Sequence, residues 1–143
     1  MANGDNNNIG QWSLALLRIV LGVIFAYHGY LKLFAPGGFK GTVDFFTLIG
    51  IPVPGYSALL VSVAEFFGGL LLIFGLITRW TTLILLFQML VAFFKVHLKN
   101  GFLVSKGGYE FVLLILVALV VVLVNGAGKL SVGKKYFQSK HLQ

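Results

Sequence analysis

The sequence predicts an all-α integral membrane protein, a four-helix bundle with a short amphipathic helix in the membrane interface between the first two spans. Composition is the first observation behind this fold class, because 58% of the 143 residues are hydrophobic and only 10% are charged. Soluble domains carry about 25% charged residues. The second observation is a mean hydropathy of +0.94. The third is length, since four spans of ~20 residues and their connections use up the whole chain.

Four apolar stretches are bounded by residues that break a helix or leave the bilayer. We expect the spans to be Trp12–Phe34, Ser57–Ile77, Trp80–Leu98 and Tyr109–Val124. Between the first two, Phe39–Gly50 repeats apolar residues at i, i+4 and i+7 and pairs Lys40 with Asp44, which is typical of an amphipathic helix lying in the interface. Thr78-Arg79 is predicted to be the tight connection between spans 2 and 3.

The chain is predicted to form a single membrane domain, 12–133, with a polar N-terminal tail, 1–11, and a basic C-terminal tail, 134–143. The N-terminal tail has no Lys or Arg, so we expect the first apolar segment to be retained as a span and not cleaved as a secretory signal. An even number of spans places both termini on one side. The distribution of lysine and arginine favours the cytoplasm for that side, in the plasma membrane of a prokaryote.

The net charge of +7 reflects 11 Lys and Arg residues against four acidic ones, Asp5, Asp44, Glu65 and Glu110. The basic residues cluster at the ends of apolar stretches, which predicts contact with anionic lipid headgroups and not with nucleic acid, with Lys99 and Lys106 as the clearest examples. The chain has no cysteine. Its absence excludes thiol relays, haem attachment through CxxCH and cysteine-ligated iron–sulfur clusters.

Ionisable side chains inside the apolar stretches are the strongest functional signal. A charge at the bilayer centre costs roughly 2.5–3.5 kcal/mol, so such groups usually face a partner, a cavity or a substrate path. At 1.5 Å per residue, His28 and Glu65 lie roughly 9 and 12 Å below the same membrane surface. We therefore predict a ligand-binding layer in the half of the bundle remote from the termini, formed by His28, Lys32, Glu65, Lys95 and Glu110. Glu65 is the candidate for proton exchange.

Other polar groups in the spans are assigned a structural role. Arg18, Arg79 and, nearer mid-height, Gln88 lie towards the other end of the bundle. Glu65 is also open to a structural interpretation, as an ion pair with Lys32 or Lys95. His28 and His97 are a weak signal for haem, and without a zinc-type cluster of His and Cys we expect no metal.

These residues follow the pattern of a known family. The chain resembles the DoxX family of small four-span membrane proteins over about Leu14–Ser131. The matching pieces are Arg18-x3-Gly22, His28-Gly29-x2-Lys32, Glu65-x2-Gly68-Gly69, Gly75, Arg79, His97, Gly101, Glu110 and Gly126-x-Gly128-x2-Ser131. Family members often have an acidic residue after that serine, where this chain has Val132-Gly133.

The resemblance implies two kinds of role. One branch of the family resembles the membrane subunit of a thiosulfate:quinone oxidoreductase, and another is associated with superoxide-detoxifying and sulfur-transfer proteins. We therefore expect an intramembrane polar pocket for a small redox-linked ligand, with a quinone as the leading candidate and a soluble redox enzyme or partner subunit as electron source. The alternative hypothesis is a non-catalytic scaffold that docks soluble redox enzymes. The third hypothesis is a small proton-coupled transporter. The sequence is compatible with an enzyme and with a non-catalytic protein, and it does not define the oligomeric state.

Overall fold

The computed structural model describes residues 2–133, with side chains from residue 8 onward, and its regular elements within that range are all helical. The α-helices are α1 (Ala2–Phe34), α2 (Gly38–Leu48), α3 (Pro54–Phe74), α4 (Thr78–Ala92) and α5 (Glu110–Asn125). After α4 the chain continues as a π-helical turn, Phe93–His97, and 3-10 turns follow at Leu98–Asn100 and Val104–Lys106. The predicted helical fold class is confirmed, whereas the predicted basic tail, 134–143, lies outside the described residues.

Three of the helical stretches are long and apolar enough to cross a membrane. They are Asn8–Phe34, Pro54–Phe74 and Thr78–Asn100, with 27, 21 and 23 residues. Helix α5 has 16 residues, which is about 24 Å of helix against a hydrocarbon core of about 30 Å. The chain is thus a helical membrane protein, while a fourth crossing by α5 stays a prediction.

The short helix predicted between the first two spans is present as α2. Helix α1 ends at Phe34, just before a turn that contains Pro36 and a left-handed Gly37 with φ 75°. Within α2, the Nζ of Lys40 lies 2.9 Å from an Oδ of Asp44, which is the predicted i, i+4 pair. Helix α2 contributes no buried residue, so it lies against the outside of the bundle.

The connection between α3 and α4 is Gly75–Ile77, and the prediction of Thr78-Arg79 was wrong. Gly75 ends α3 in the left-handed conformation with φ 66°, which glycine adopts without strain. Ile77 is also left-handed, with φ 46°, which is rare for a β-branched residue. The apolar sequence continues past the end of α3, and for this reason hydropathy placed the boundary too late. Thr78 and Arg79 are the first residues of α4.

Helices α1 and α3 pack backbone against backbone. A Cβ atom added to Gly22 would lie 2.7 Å from the carbonyl oxygen of Gly69, and one added to Gly69 would lie 2.3 Å from the amide nitrogen of Ala26. Farther along the same interface, a Cβ on Gly29 would lie 2.3 Å from the amide nitrogen of Phe66. Small residues permit such close approach between membrane helices. The glycines therefore set the distance between the two helices that carry the site.

Helices α1, α3, α4 and α5 share one hydrophobic core. Its buried members are Leu14, Leu21, Phe25, Leu72, Leu85, Ile115, Leu119 and Val122. Helix α3 meets α4 at Gly68, where an added Cβ would lie 3.4 Å from side-chain atoms of both Thr81 and Leu85. Helix α3 thus lies between α1 and α4, with Gly69 on the side that meets α1 and Gly68 on the side that meets α4. A side chain of α3 that projects between these two sides points into the bundle.

Candidate functional site

An ion pair between α1 and α3 is the centre of the candidate site. The Nζ of Lys32 donates hydrogen bonds of 2.6 and 2.5 Å to the two carboxylate oxygens of Glu65. The side chains are 26% and 10% exposed, respectively, so the carboxylate is buried and the ammonium group is more accessible. Of the two lysines proposed from sequence as partners for Glu65, the structure selects Lys32.

Close packing of the two helices holds this pair in place. Glu65 and Lys32 lie one helical turn or less from Phe66 and Gly29, the residues at which the backbones of α3 and α1 meet. Because no side chain separates the helices here, the long Lys32 side chain reaches the carboxylate directly. The distance between Lys32 and Glu65 therefore depends on Gly29 as well as on the attraction between the two charges.

Lys32 also lines an open groove of about 480 Å³ between the end of α1 and α2. The lining residues are His28, Leu31, Lys32, Pro36, Gly37, Gly38, Gly41, Thr42, Phe45 and Phe46. Small-molecule sites usually occupy about 300–1,000 Å³ and combine apolar walls with a few polar groups. The groove is open along one side, and Glu65 does not line it but is bonded to Lys32, which does.

Three predicted ligand residues do not line this groove: Glu65, which is bonded to Lys32 beside it, and Lys95 and Glu110, which lie elsewhere. Lys95 is an exposed residue of the π-helical turn. Glu110 accepts a hydrogen bond of 2.5 Å from the backbone N–H of Val104, so its carboxylate holds the loop that precedes α5. His97 lies in the same region, with Nδ1 2.8 Å from the carbonyl oxygen of Gly107. Among the described residues, the structure brings together His28, Lys32 and Glu65, and a ligand role for Lys95 and Glu110 stays a prediction.

Sequence reasoning did not name the groove residues contributed by α2. Thr42, Phe45 and Phe46 lie on one side of this helix and form much of the wall opposite Lys32. The amphipathic pattern of α2 predicted a helix with one apolar face, and that pattern was the available signal. It could not show that the face lies over the end of α1.

Arg18 occupies the opposite end of the bundle and is fully buried, with 0% of its surface exposed. Its guanidinium group donates hydrogen bonds to five main-chain carbonyls, those of Leu72, Ile73, Ala127, Lys129 and Leu130. Two of these carbonyls belong to the last turn of α3, where the helix dipole favours a cation. Arg18 therefore ties α1 to the end of α3 and to the segment after α5, as expected of a structural residue.

Arg79 and Gln88, the other two residues predicted to be structural, make fewer hydrogen bonds than Arg18. Arg79 donates one hydrogen bond of 3.3 Å, from Nη2 to the carbonyl oxygen of Val124, and its buried Nε has no partner among the described residues. Gln88 has a buried Oε1 that accepts no hydrogen bond from the described part of the chain.

Comparison with known proteins identifies the family. The DoxX family model matches residues 13–98. A Bacillus subtilis (strain 168) protein named "Putative oxidoreductase CatD" is 33% identical over 125 residues, which cover 87% of each chain. An uncharacterized protein of Haemophilus influenzae is 33% identical over 140 residues, covering 92% of this chain and 98% of its own. No solved structure matches the chain. The family model matches more than half of the chain and the Bacillus relative most of it, so the chain belongs to the DoxX family.

Proposed function

We propose that this protein binds a quinone-type redox carrier in the groove between α1 and α2 and exchanges protons with it. The Lys32–Glu65 ion pair carries the proposal, because a charged pair beside an open groove within apolar helices is costly to keep and is well placed to meet a ligand. The Bacillus relative is named "Putative oxidoreductase CatD", and that name is compatible with a redox function.

The groove offers what a quinone ring requires. An ammonium group has three N–H donors, and Glu65 accepts two from Lys32, so one remains for a ring carbonyl. His28 lines the same groove and supplies a second donor. Phe45 and Phe46 offer aromatic surface to the ring, and an open groove allows a long apolar tail to stay in lipid.

The proposed reaction balances with one outside reactant. Reduction of a quinone to a quinol adds two electrons and two protons to the ring oxygens. The electrons come from a soluble redox protein that docks at the membrane. Lys32 donates one proton to the ring oxygen with which it hydrogen-bonds, and Glu65 takes up a proton from solvent and returns it to Lys32. His28 passes the second proton from solvent to the other ring oxygen. The ion pair is thus the local proton reserve of the site.

The proposed setting is the plasma membrane of a prokaryote, crossed four times, with both termini in the cytoplasm. Tilting of the longer helices and local thinning of the bilayer accommodate the 16 residues of α5. At the opposite surface, exposed Lys99 and Lys106 flank Phe102-Leu103-Val104, whose side chains are 54%, 50% and 55% exposed. We propose that this loop rests on the interface, with its lysines on anionic headgroups.

Removing the ion pair is expected to weaken quinone binding at least about tenfold. The double substitution Lys32→Met with Glu65→Gln removes both charges together, so that no unpaired charge stays buried. A hydrogen bond from a charged donor contributes roughly 1.5–3 kcal/mol, and about 1.4 kcal/mol corresponds to a factor of ten in affinity. The measurement is titration of the purified protein in lipid nanodiscs with a short-tailed ubiquinone or menaquinone.

The matched control is the exposed pair on α2. Lys40→Met with Asp44→Asn removes the same two kinds of charge from side chains that are 83% and 63% exposed, and affinity should not change. Equal affinity in the Lys32–Glu65 double variant and in this control would remove the basis of the proposal.

A further inference from the structure

We infer that Gln88 is a positioning residue for Glu65, because its side-chain oxygen accepts a hydrogen bond from the Glu65 carboxyl group whenever that group is protonated. This inference rests on the proposed proton exchange and adds a second partner to it. Gln88 is one of the polar residues to which the sequence assigned only a structural role.

The first observation is a buried side-chain oxygen of Gln88, Oε1, that accepts no hydrogen bond from the described residues. A buried acceptor without a donor is costly and is uncommon in folded proteins. In contrast, the hydroxyl groups of Ser62 on α3 and Thr82 on α4 are satisfied within their own helices, by the carbonyls of Ala58 and Thr78. Thr78 Oγ1 likewise has no partner among the described residues, but it lies beside the turn between α3 and α4, so Gln88 Oε1 is the unpartnered acceptor farther along α4.

The second observation is the height of Gln88 in the bundle. Helices α3 and α4 run antiparallel because a three-residue turn, Gly75–Ile77, joins them. Gly68 lies opposite Leu85. Glu65 lies three residues from Gly68 and Gln88 lies three residues from Leu85, in both cases away from the turn, which is about 4.5 Å along each helix. Glu65 and Gln88 are thus at the same level, and the prediction that Gln88 lies in the other half of the bundle, with Arg18 and Arg79, was wrong.

The third observation is direction. Gln88 follows Thr81 by seven residues and is therefore only ~20° from it around α4. Thr81 contacts α3 at Gly68, so Gln88 faces α3 as well. On α3, Glu65 lies between the faces of Gly68, which meets α4, and of Gly69, which meets α1. The Glu65 side chain therefore projects between Lys32 on α1 and Gln88 on α4.

The protonation state of Glu65 decides which partner it uses. As a carboxylate it accepts both hydrogen bonds from Lys32 and has no hydrogen to give. Addition of one proton from solvent converts it to a carboxyl group, whose O–H then donates to Oε1 of Gln88. The other titratable groups near this face are His28 and Lys32 on α1, and Lys95 in the π-helical turn that follows α4. Lys95 and His28 are exposed. No electron moves in this step, and the O–H bond is the one covalent bond formed.

Infrared difference spectroscopy tests this inference in nanodiscs. Acidification should produce the C=O stretching band of a protonated, hydrogen-bonded carboxyl group, and Glu65→Gln should abolish that band, which assigns it to Glu65. Gln88→Met keeps the side-chain length and removes the acceptor, so the band should move to higher wavenumber, as a carboxyl group does when its O–H loses its partner. Met89→Leu, at the neighbouring position, should leave the band in place.

A second variant covers the case in which Gln88→Met does not fold. Gln88→Asn keeps the amide but withdraws it by one methylene group, and the same upward shift is expected. An unshifted band in the folded Gln88 variants would overturn the inference, as would the absence of a Glu65 band throughout the acid titration. Quinone affinity is measured separately, so an unshifted band with normal quinone binding contradicts the role of Gln88 alone.

Discussion

Arg18→Leu is expected to lower the free energy of unfolding by at least about 3 kcal/mol or to prevent stable folding. The substitution removes the Arg18 hydrogen bonds to five main-chain carbonyls, two of them buried and three partly buried. Each buried acceptor left without a partner costs about 1–3 kcal/mol. The acceptors belong to α3 and to residues 127–130, so one substitution detaches two segments from α1. Thermal unfolding in detergent micelles, followed by size-exclusion chromatography, measures the effect.

Two comparisons make this prediction specific to the carbonyl network. Arg79→Leu removes an arginine that donates one long hydrogen bond, and its expected cost is no more than about 1 kcal/mol. Arg18→Lys retains the charge but offers three donors in place of five, and should give an intermediate loss. If Arg18→Leu proved no less stable than Arg79→Leu, Arg18 would not hold this end of the bundle together.

Gly69→Ala is expected to destabilise the bundle by about 2 kcal/mol or more, although it adds a single methyl group. The new Cβ would lie 2.3 Å from the amide nitrogen of Ala26 and 2.6 Å from the carbonyl oxygen of Gly22. Both atoms belong to the backbone of α1, which cannot rotate aside as a side chain can. The two helices must therefore separate, and separation also draws Lys32 away from Glu65. Both unfolding temperature and quinone affinity should fall.

Gly55→Ala is the matched control in the same helix. An added Cβ at Gly55 meets nothing within 4 Å, and alanine favours a helix over glycine by up to about 1 kcal/mol. This variant should be as stable as the native protein or slightly more stable. A neutral Gly69→Ala variant would show that α1 and α3 are not in backbone contact, and would remove the explanation for how the ion pair is held.

The sequence was sufficient to predict the helical membrane fold and an ion pair for Glu65, because apolar length and the cost of a buried charge are local properties. It left the partner of Glu65 open between Lys32 and Lys95. That choice depends on the glycine contact between α1 and α3. It also depends on the π-helical turn at Phe93–His97, which a regular helical wheel does not anticipate.

The hydrogen bonds between Arg18 and distant main-chain carbonyls could not be predicted from sequence patterns. The carbonyls that accept from Arg18 are separated from it by 54 to 112 residues, and a main-chain carbonyl leaves no mark in the sequence. The groove was missed for a similar reason. Its α2 residues are recognisable as one face of a short helix, but the turn at Pro36-Gly37 decides where that face lies.

The most direct test of the central claim is to locate a bound quinone by photo-crosslinking. A photoreactive azidoquinone, illuminated with the native protein in nanodiscs, should label peptides from the end of α1 and from α2, including residues 28–46. Excess unlabelled quinone should suppress this labelling, and the Lys32→Met, Glu65→Gln double variant should show little of it. Labelling confined to α4 and α5, or labelling of 28–46 that is the same with and without the ion pair, would contradict the account.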